Sequence, residues 1–181
     1  MDDRNPMPPK FFSSTPDQNC MCPTDPDLLL LRRMAISERK GICFYLCAAE
    51  KTSGSLCKLF TEIAEDEMVH FRNIMTLLAR YDPVQWCAFN DVCITLPCID
   101  SFRKSKSCSN LEAIDLLTRA IVDELCDANN YQESYCAAQH KDVKILFCNN
   151  GNDEKVHAAK LWKCLMAYTC LLYTSDAADD S

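Results

Sequence analysis

The sequence predicts an all-α protein, a four-helix bundle, on three observations. Apolar residues recur at alternating steps of three and four in four separate segments, which is the spacing of one face of an α-helix. Glycine is scarce, at three in 181 residues, whereas parallel-sheet nucleotide folds and β-sandwiches use glycine at their turns. The first and second segments, and likewise the third and fourth, are separated by short joins, which favour antiparallel neighbours.

The first two helices have clear ends in the sequence. Regular apolar spacing begins near Leu28 and is interrupted at residues 52–55, Thr-Ser-Gly-Ser, which supply a stop and a helix N-cap. The second segment ends at residues 81–83, Tyr-Asp-Pro. Residues 82–109 then show no sustained period, and we interpret them as one long crossover between helices 2 and 3.

The third and fourth helices differ in how clearly they begin. Ser109 or Asn110 can cap the third, and a polar break at residues 140–142 follows it. Residues 149–152, Asn-Asn-Gly-Asn, are poor helix formers. We therefore predict that the fourth helix begins late, with Glu154 in its first turn.

The chain divides into three parts by composition. Residues 1–26 are rich in proline and polar residues, and they are expected to be a disordered leader. Residues 27–170 carry the helical pattern and form the predicted bundle. Residues 171–181 read like translated sequencing-adapter sequence, so they are expected to be a non-native tail.

Charge and hydropathy exclude several classes of function. The formal net charge is −7 and most of the basic residues are dispersed, which argues against nucleic acid or an anionic membrane as a partner. No apolar run approaches the roughly 18–20 residues of a membrane span. The N-terminal sequence lacks the apolar core of a signal peptide, so we expect a cytoplasmic protein. The 14 cysteines contain no C-x-x-C pair, which argues for free thiols rather than a zinc ribbon.

Ionisable residues interrupt the apolar faces at positions that the helical period assigns to the core. A buried carboxylate without a partner is unfavourable by several kcal/mol, and four in one core repel each other. A single case could reflect a misjudged helix phase, whereas six in register need a common explanation. The six are Glu38, Glu67, His70, Glu124, Glu154 and His157.

The two halves of the chain repeat this pattern. Glu38 precedes Glu67 by 29 residues, and Glu124 precedes Glu154 by 30. Both second members stand in the same motif, Asp-Glu-x-Val-His, at residues 66–70 and 153–157. We interpret the repeat as an internal duplication of a helix pair.

The geometry of an α-helix allows the repeated motif to bind a metal ion. Glu and His three residues apart lie on one side of a helix, so each Glu-x-x-His can offer an oxygen and an imidazole to one ion. Glu38 and Glu124, from the other two helices, complete or bridge two such positions. Four carboxylates balance two divalent cations, and this ligand set suits iron or manganese, although zinc accepts the same ligand types. The alternative is a bundle with buried Glu–His ion pairs.

The chain resembles the ferritin-like superfamily, most closely its rubrerythrin branch. The resemblance covers roughly residues 28–170 and is carried by the segment 59–71, Leu-Phe-Thr-Glu-Ile-Ala-Glu-Asp-Glu-Met-Val-His-Phe. It implies a ferritin-like four-helix bundle of up-down-down-up topology with a non-haem di-iron centre. It also implies that the metal ligands are Glu38, Glu67, His70, Glu124, Glu154 and His157, with Asp127 as a further candidate ligand.

The resemblance sets the functional expectation. We expect a di-iron oxidoreductase that reduces hydrogen peroxide or dioxygen with electrons from an external carrier, such as a rubredoxin-like protein. A ferroxidase that feeds iron storage, a manganese centre that disproportionates peroxide, and a hydroxylase of a lipid-like ring remain alternatives. A homo-oligomer is expected.

Two tyrosines share the face of the predicted ligands. Tyr45 follows Glu38 by seven residues, and Tyr131 follows Glu124 by seven. Each can donate a hydrogen bond to a carboxylate across the bundle, with plain core packing as the alternative.

Overall fold

The described part of the chain is entirely helical. The structure is a computed structural model, and it describes residues 25–83 and 108–179, with side chains up to residue 170. These ranges hold four long helices and no strand, which confirms the predicted all-α class. Residues 1–24 of the predicted leader and most of the predicted crossover lie outside the described residues, while Pro26 at the end of that predicted leader already belongs to the first helix. The helices are α1 (Pro26–Lys51), α2 (Gly54–Tyr81), α3 (Asn110–Ala137) and α4 (Lys141–Asp179).

The join between α1 and α2 is built from local signals. Asp25 caps α1, since its carboxylate accepts a hydrogen bond from the Asp27 amide at 2.9 Å, and Pro26 suits the first helical turn. At the other end Thr52 is extended. Gly54 then takes a φ of 61°, a left-handed conformation that glycine adopts without strain. The chain therefore leaves α1 and enters α2 within a few residues.

Helix α3 begins with a capping box. The Ser109 hydroxyl accepts a hydrogen bond from the Glu112 amide, and the Glu112 carboxylate accepts one from the Ser109 amide at 2.9 Å. The reciprocal pair satisfies two amides that the first turn leaves unpaired. Of the two caps that the sequence offers, Ser109 is the one used.

Helix α4 runs unbroken through residues 149–152, so the predicted late start is wrong. Asn150 is 2% exposed and its amide donates to the Tyr131 hydroxyl at 3.0 Å. A Cβ added at Gly151 would lie 2.8 Å from the Tyr131 Cβ, so glycine lets α4 approach α3 closely here. These tertiary contacts outweigh the weak helix propensity of the segment. Glu154 therefore lies inside a regular helix, which fixes its direction.

The helices pack as two close pairs joined by two looser seams. Helix α1 packs mainly on α2 and α3 mainly on α4, whereas α1 meets α3, and α2 meets α4, through fewer contacts. Two apolar clusters fill the interior. One surrounds Tyr45, Phe60 and Leu117, and the other surrounds Leu28, Leu78 and Phe147. Between the two clusters lies a layer of buried polar side chains.

Two further expectations concern the membrane and the thiols. Among the described helices, none combines the length and the apolar character needed to cross a membrane. The cysteines in the same ranges are free thiols, at exposed or half-buried positions.

Candidate metal centre

The structure brings together the six ionisable residues that interrupt the apolar faces. Each is between 1% and 4% exposed, although every one of them is chargeable. All four helices contribute, and the helical period that predicted the inward direction is thereby confirmed. The residues are Glu38 from α1, Glu67 and His70 from α2, Glu124 from α3, and Glu154 and His157 from α4.

The six residues form two overlapping groups. One contains Glu38, Glu67, His70 and Glu154, and within it the ligand atoms lie within 4.8 Å of one another. The other contains Glu67, Glu124, Glu154 and His157, and it meets the same limit. Each group has three carboxylates and one imidazole, which is a donor set that can hold one metal ion.

Glu67 and Glu154 belong to both groups, whereas Glu38 and Glu124 each belong to one. The sequence interpretation allowed Glu38 and Glu124 to bridge the two positions. The residues common to both groups are the glutamates of the two motifs, which agrees with the alternative that Glu38 and Glu124 complete the positions. The reason is that α2 and α4 present these side chains between the two imidazoles.

Both imidazoles turn the same ring nitrogen toward the carboxylates. His70 Nδ1 lies 3.1 Å from Glu154 Oε1 and 3.6 Å from Glu38 Oε2. His157 Nδ1 lies 3.2 Å from Glu154 Oε2 and 3.4 Å from Glu124 Oε2. The two rings are 5.9 Å apart between centroids. The Nδ1 atoms therefore face a common interior space from opposite ends.

Two aspartates hold the outer nitrogens of the imidazoles, and sequence reasoning missed both. Asp66 Oδ2 lies 3.1 Å from His157 Nε2, and Asp153 Oδ2 lies 3.3 Å from His70 Nε2. Each aspartate stands on the helix opposite its histidine, so the two repeats are cross-linked. When a carboxylate accepts a hydrogen bond from Nε2–H, the proton stays on Nε2 and the lone pair of Nδ1 is available for a metal ion. Such carboxylate partners commonly support metal-binding histidines.

The sequence carried a signal for these aspartates. The residue before the glutamate is Asp in both motifs, at Asp66 and Asp153. Their helical phase points outward and their side chains are 50% and 60% exposed. An outward helical phase by itself predicts a solvated surface residue, so the pattern of the sequence does not identify their contact with the imidazoles.

The two tyrosines make the predicted carboxylate hydrogen bonds. The Tyr45 hydroxyl donates to Glu124, and the Tyr131 hydroxyl donates to Glu38. Burial, followed by the adjacent carboxylate, raises the pKa of both hydroxyls. Both tyrosines therefore remain protonated donors that orient Glu124 and Glu38.

Burial favours the neutral form of each glutamate, but the net pKa shifts have opposite directions. It raises the pKa of Glu38 well above its usual range and raises the pKa of Glu124 to about 8. Burial acts the same way on Glu67, but hydrogen bonds with His157 and His70 outweigh it and lower the pKa of Glu67.

For the two imidazoles, burial lowers the pKa and hydrogen bonds with the glutamates raise it, and the hydrogen bonds dominate. Burial lowers the pKa of His157, yet hydrogen bonds with Glu124, Glu154 and Glu67 outweigh it and raise that pKa to about 12. The pKa of His70 is raised in the same way. Positive charge is therefore strongly favoured in the middle of the four glutamates.

The residues fit a pair of divalent cations. Four buried atoms facing the interior space make no hydrogen bond of good geometry, although imidazole and carboxylate atoms lie 3.1 to 3.6 Å apart there: Glu38 Oε2, His70 Nδ1, Glu124 Oε2 and Glu154 Oε1. An unsatisfied buried acceptor is unfavourable by roughly 1–3 kcal/mol, and more if it is charged. Metal coordination would satisfy all four, and two divalent ions would balance the four carboxylates. Hard carboxylates with imidazole suit iron or manganese.

Asp127 does not join either group. Its carboxylate accepts hydrogen bonds from Ser37 Oγ at 2.7 Å and from Asn130 at 3.3 Å. The side chain therefore points along the α1–α3 seam, and the structure does not bring this candidate ligand to the other six.

A third acidic cluster has a structural explanation. Asp25, Asp27 and His140 lie close enough to share an ion. The fully buried Asp27 carboxylate already accepts hydrogen bonds from the backbone amides of Gln139 and His140, at 2.7 to 3.0 Å. These amides precede α4, so Asp27 acts as a cap that α1 provides for α4.

Comparison with protein-family models, with curated proteins and with solved structures finds no match to this chain. What the site can do therefore follows from its own side chains.

Proposed function

We propose that the chain is a ferritin-like, di-iron oxidoreductase that reduces hydrogen peroxide or dioxygen with electrons from an external carrier. The observation that carries the proposal is the pair of overlapping groups, each with three buried carboxylates and one imidazole. Two adjacent positions suit a two-electron reaction, because each metal ion changes its charge by one.

The contacts between helices support the ferritin-like topology. Residues 66–70 of α2 face residues 153–157 of α4, and the end of α2 contacts the start of α4 through Arg80 and Asp142. Ser37 of α1 meets Asp127 of α3, while Arg33 meets Ser134. Both seams are thus antiparallel, and with antiparallel α1–α2 and α3–α4 pairs they correspond to an up-down-down-up bundle.

The protein's own residues have separate tasks in this proposal. Glu67 and Glu154 would be shared by the two ions, while Glu38 with His70 and Glu124 with His157 would complete the two positions. Tyr45 and Tyr131 hold Glu124 and Glu38 in direction. Asp66 and Asp153 keep a proton on the outer nitrogen of each imidazole. The apolar clusters on either side exclude bulk water from the layer.

When bound, a pair of ferrous ions supplies the two electrons that, with two protons, convert one hydrogen peroxide to two waters. The external carrier then restores those electrons. A rubredoxin-like protein is the proposed donor.

The experiment adds hydrogen peroxide to the anaerobic di-ferrous protein and follows both peroxide loss and iron oxidation. We expect rapid consumption of about one peroxide per iron pair. Glu67→Ala removes a carboxylate shared by both groups and should abolish the reaction. Glu65→Ala, an exposed glutamate on the same helix, is the matched control and should behave as wild type.

Unchanged peroxide, or oxidation no faster than in Glu67→Ala, would remove the proposal. Two alternatives use the same ligands and leave other signatures. Manganese in the natively loaded protein, with oxygen released from peroxide, would indicate disproportionation. A large shell that accumulates ferric iron would indicate a ferroxidase for iron storage.

A further inference from the structure

A cleft along the α1–α3 seam reaches the carboxylates of the candidate metal centre. Its volume is about 240 Å³, and its lining includes Glu67 and Glu124 at the inner end. Lys40, Asp123 and Asp127 also line it. A water-sized molecule entering this seam would therefore meet carboxylates that the two groups use.

A second cavity approaches the centre from the opposite side but ends differently. It lies along the α2–α4 seam, has a volume of about 370 Å³, and is lined by His70, His157, Asp66 and Asp153. None of the four buried glutamates lines it. A molecule entering there would meet the outer edges of the imidazoles, where Nε2 is already paired with an aspartate.

Gly41 lines the α1–α3 cleft beside Glu67. It lies inside α1. Among the described glycines a positive φ is found at Gly54, so the backbone at Gly41 is ordinary helix that any residue can adopt. A Cβ at Gly41 would lie 3.5 Å from Glu67 Oε2, an ordinary contact, so alanine would fit. Glycine inside a helix is destabilising relative to alanine. Neither the backbone nor the packing requires glycine here.

The internal duplication allows Gly41 to be compared with the corresponding residue of the second repeat. Gly41 follows Glu38 by three residues, and the matching residue of the second repeat is Asp127, three after Glu124. Asp127 carries a side chain that reaches back to Ser37. At the matching position α1 carries no side chain, and the nearest atoms to a Cβ placed there belong to Glu67.

We propose that the α1–α3 cleft admits a small oxidant of the size of hydrogen peroxide, and that Gly41 is the residue that keeps it open. This inference rests on the proposed function. The cleft is smaller than the roughly 300–1,000 Å³ of pockets that bind drug-sized molecules, and its lining carries five acidic or basic side chains. Both features disfavour a lipid-like ring substrate.

The test measures access separately from peroxide reduction. Nitric oxide, a neutral diatomic probe, is mixed with the anaerobic ferrous protein in a stopped-flow instrument, and its association rate is compared with the rate of peroxide consumption. We expect Gly41→Leu to slow both by about tenfold or more with unchanged iron content. Asn73→Trp adds comparable bulk to the α2–α4 cavity from an exposed position and should leave both rates unchanged.

Equal rates in wild type and Gly41→Leu, or slowing by Asn73→Trp instead, would overturn the inference. If Gly41→Leu fails to retain iron, Lys40→Trp, which adds bulk to the same cleft from an exposed position, decides by the same criterion. A wild-type protein that binds nitric oxide but leaves peroxide unchanged would count against the proposed function. The nitric oxide rates of the variants would still decide the cleft.

Discussion

At the residue scale, Glu38 and Glu124 each belong to one of the two groups, and each is oriented by a hydrogen bond from one tyrosine hydroxyl. Tyr45→Phe would leave a buried oxygen of Glu124 without its donor, and Tyr131→Phe would do the same to Glu38. We expect each change to lower the free energy of unfolding of the metal-free protein by roughly 1–3 kcal/mol. Urea denaturation measures the difference.

The control for this prediction is Tyr135→Phe. Tyr135 lies on α3, as Tyr131 does, but it is 39% exposed. The Lys144 Nζ atom lies over its ring, 5.8 Å from the centroid. It should unfold as wild type does. Tyr45→Phe and Tyr131→Phe proteins as stable as Tyr135→Phe would show that these hydroxyls do not support the glutamates.

Protons and metal ions compete for the same atoms, which predicts a pH dependence. The pKa of Glu38 is raised, that of Glu124 is raised to about 8, and those of both histidines are raised. These groups therefore hold protons near neutral pH, and ligation must release them. We expect manganese(II) affinity to rise between about pH 6 and about pH 8, with net proton release.

Calorimetric titrations in buffers of different ionisation enthalpy count the released protons. The sign follows from the raised pKa values, because a proton that binds more tightly is displaced less easily at low pH. Binding that releases no protons and keeps one affinity across this range would contradict the account.

At the element scale, two helical glycines make opposite predictions. A Cβ at Gly151 would lie 2.8 Å from the Tyr131 Cβ, next to the backbone of α3, so Gly151→Ala must push α4 away. We expect a loss of roughly 1–3 kcal/mol. Gly41→Ala makes only ordinary contacts and should gain roughly 0.5–1 kcal/mol from the better helix former.

Each glycine variant serves as the control for the other, since both place a methyl group inside a helix of the bundle. Thermal or urea unfolding of the metal-free proteins gives the comparison. A stabilising Gly151→Ala, or a Gly41→Ala as damaging as Gly151→Ala, would show that the helix spacing is not what the geometry describes.

The same elements explain what the sequence could and could not predict. The apolar period identified four helices and six inward residues, because a strictly helical face constrains direction. The start of α4 was predicted wrongly because Asn150 and Gly151 are weak helix formers locally but are held by Tyr131. Local propensity does not report such a tertiary contact.

At the scale of the whole molecule, the duplication builds one site from both halves. Asp66 of the first repeat pairs with His157 of the second, and Asp153 pairs with His70. The sequence showed the repeat but not this exchange. Outward helical phase made the aspartates look solvated, and only the packing of α2 against α4 places them beside the imidazoles.

The central claim is that two cations neutralise the buried glutamates. Elemental analysis of the protein purified after native expression, with metal quantified per chain, tests it most directly. The account predicts about two ions per chain, iron or manganese, with marked loss in Glu67→Ala and full retention in Glu65→Ala. A wild-type chain that carries no metal and takes up none from anaerobic ferrous or manganous solution would contradict it.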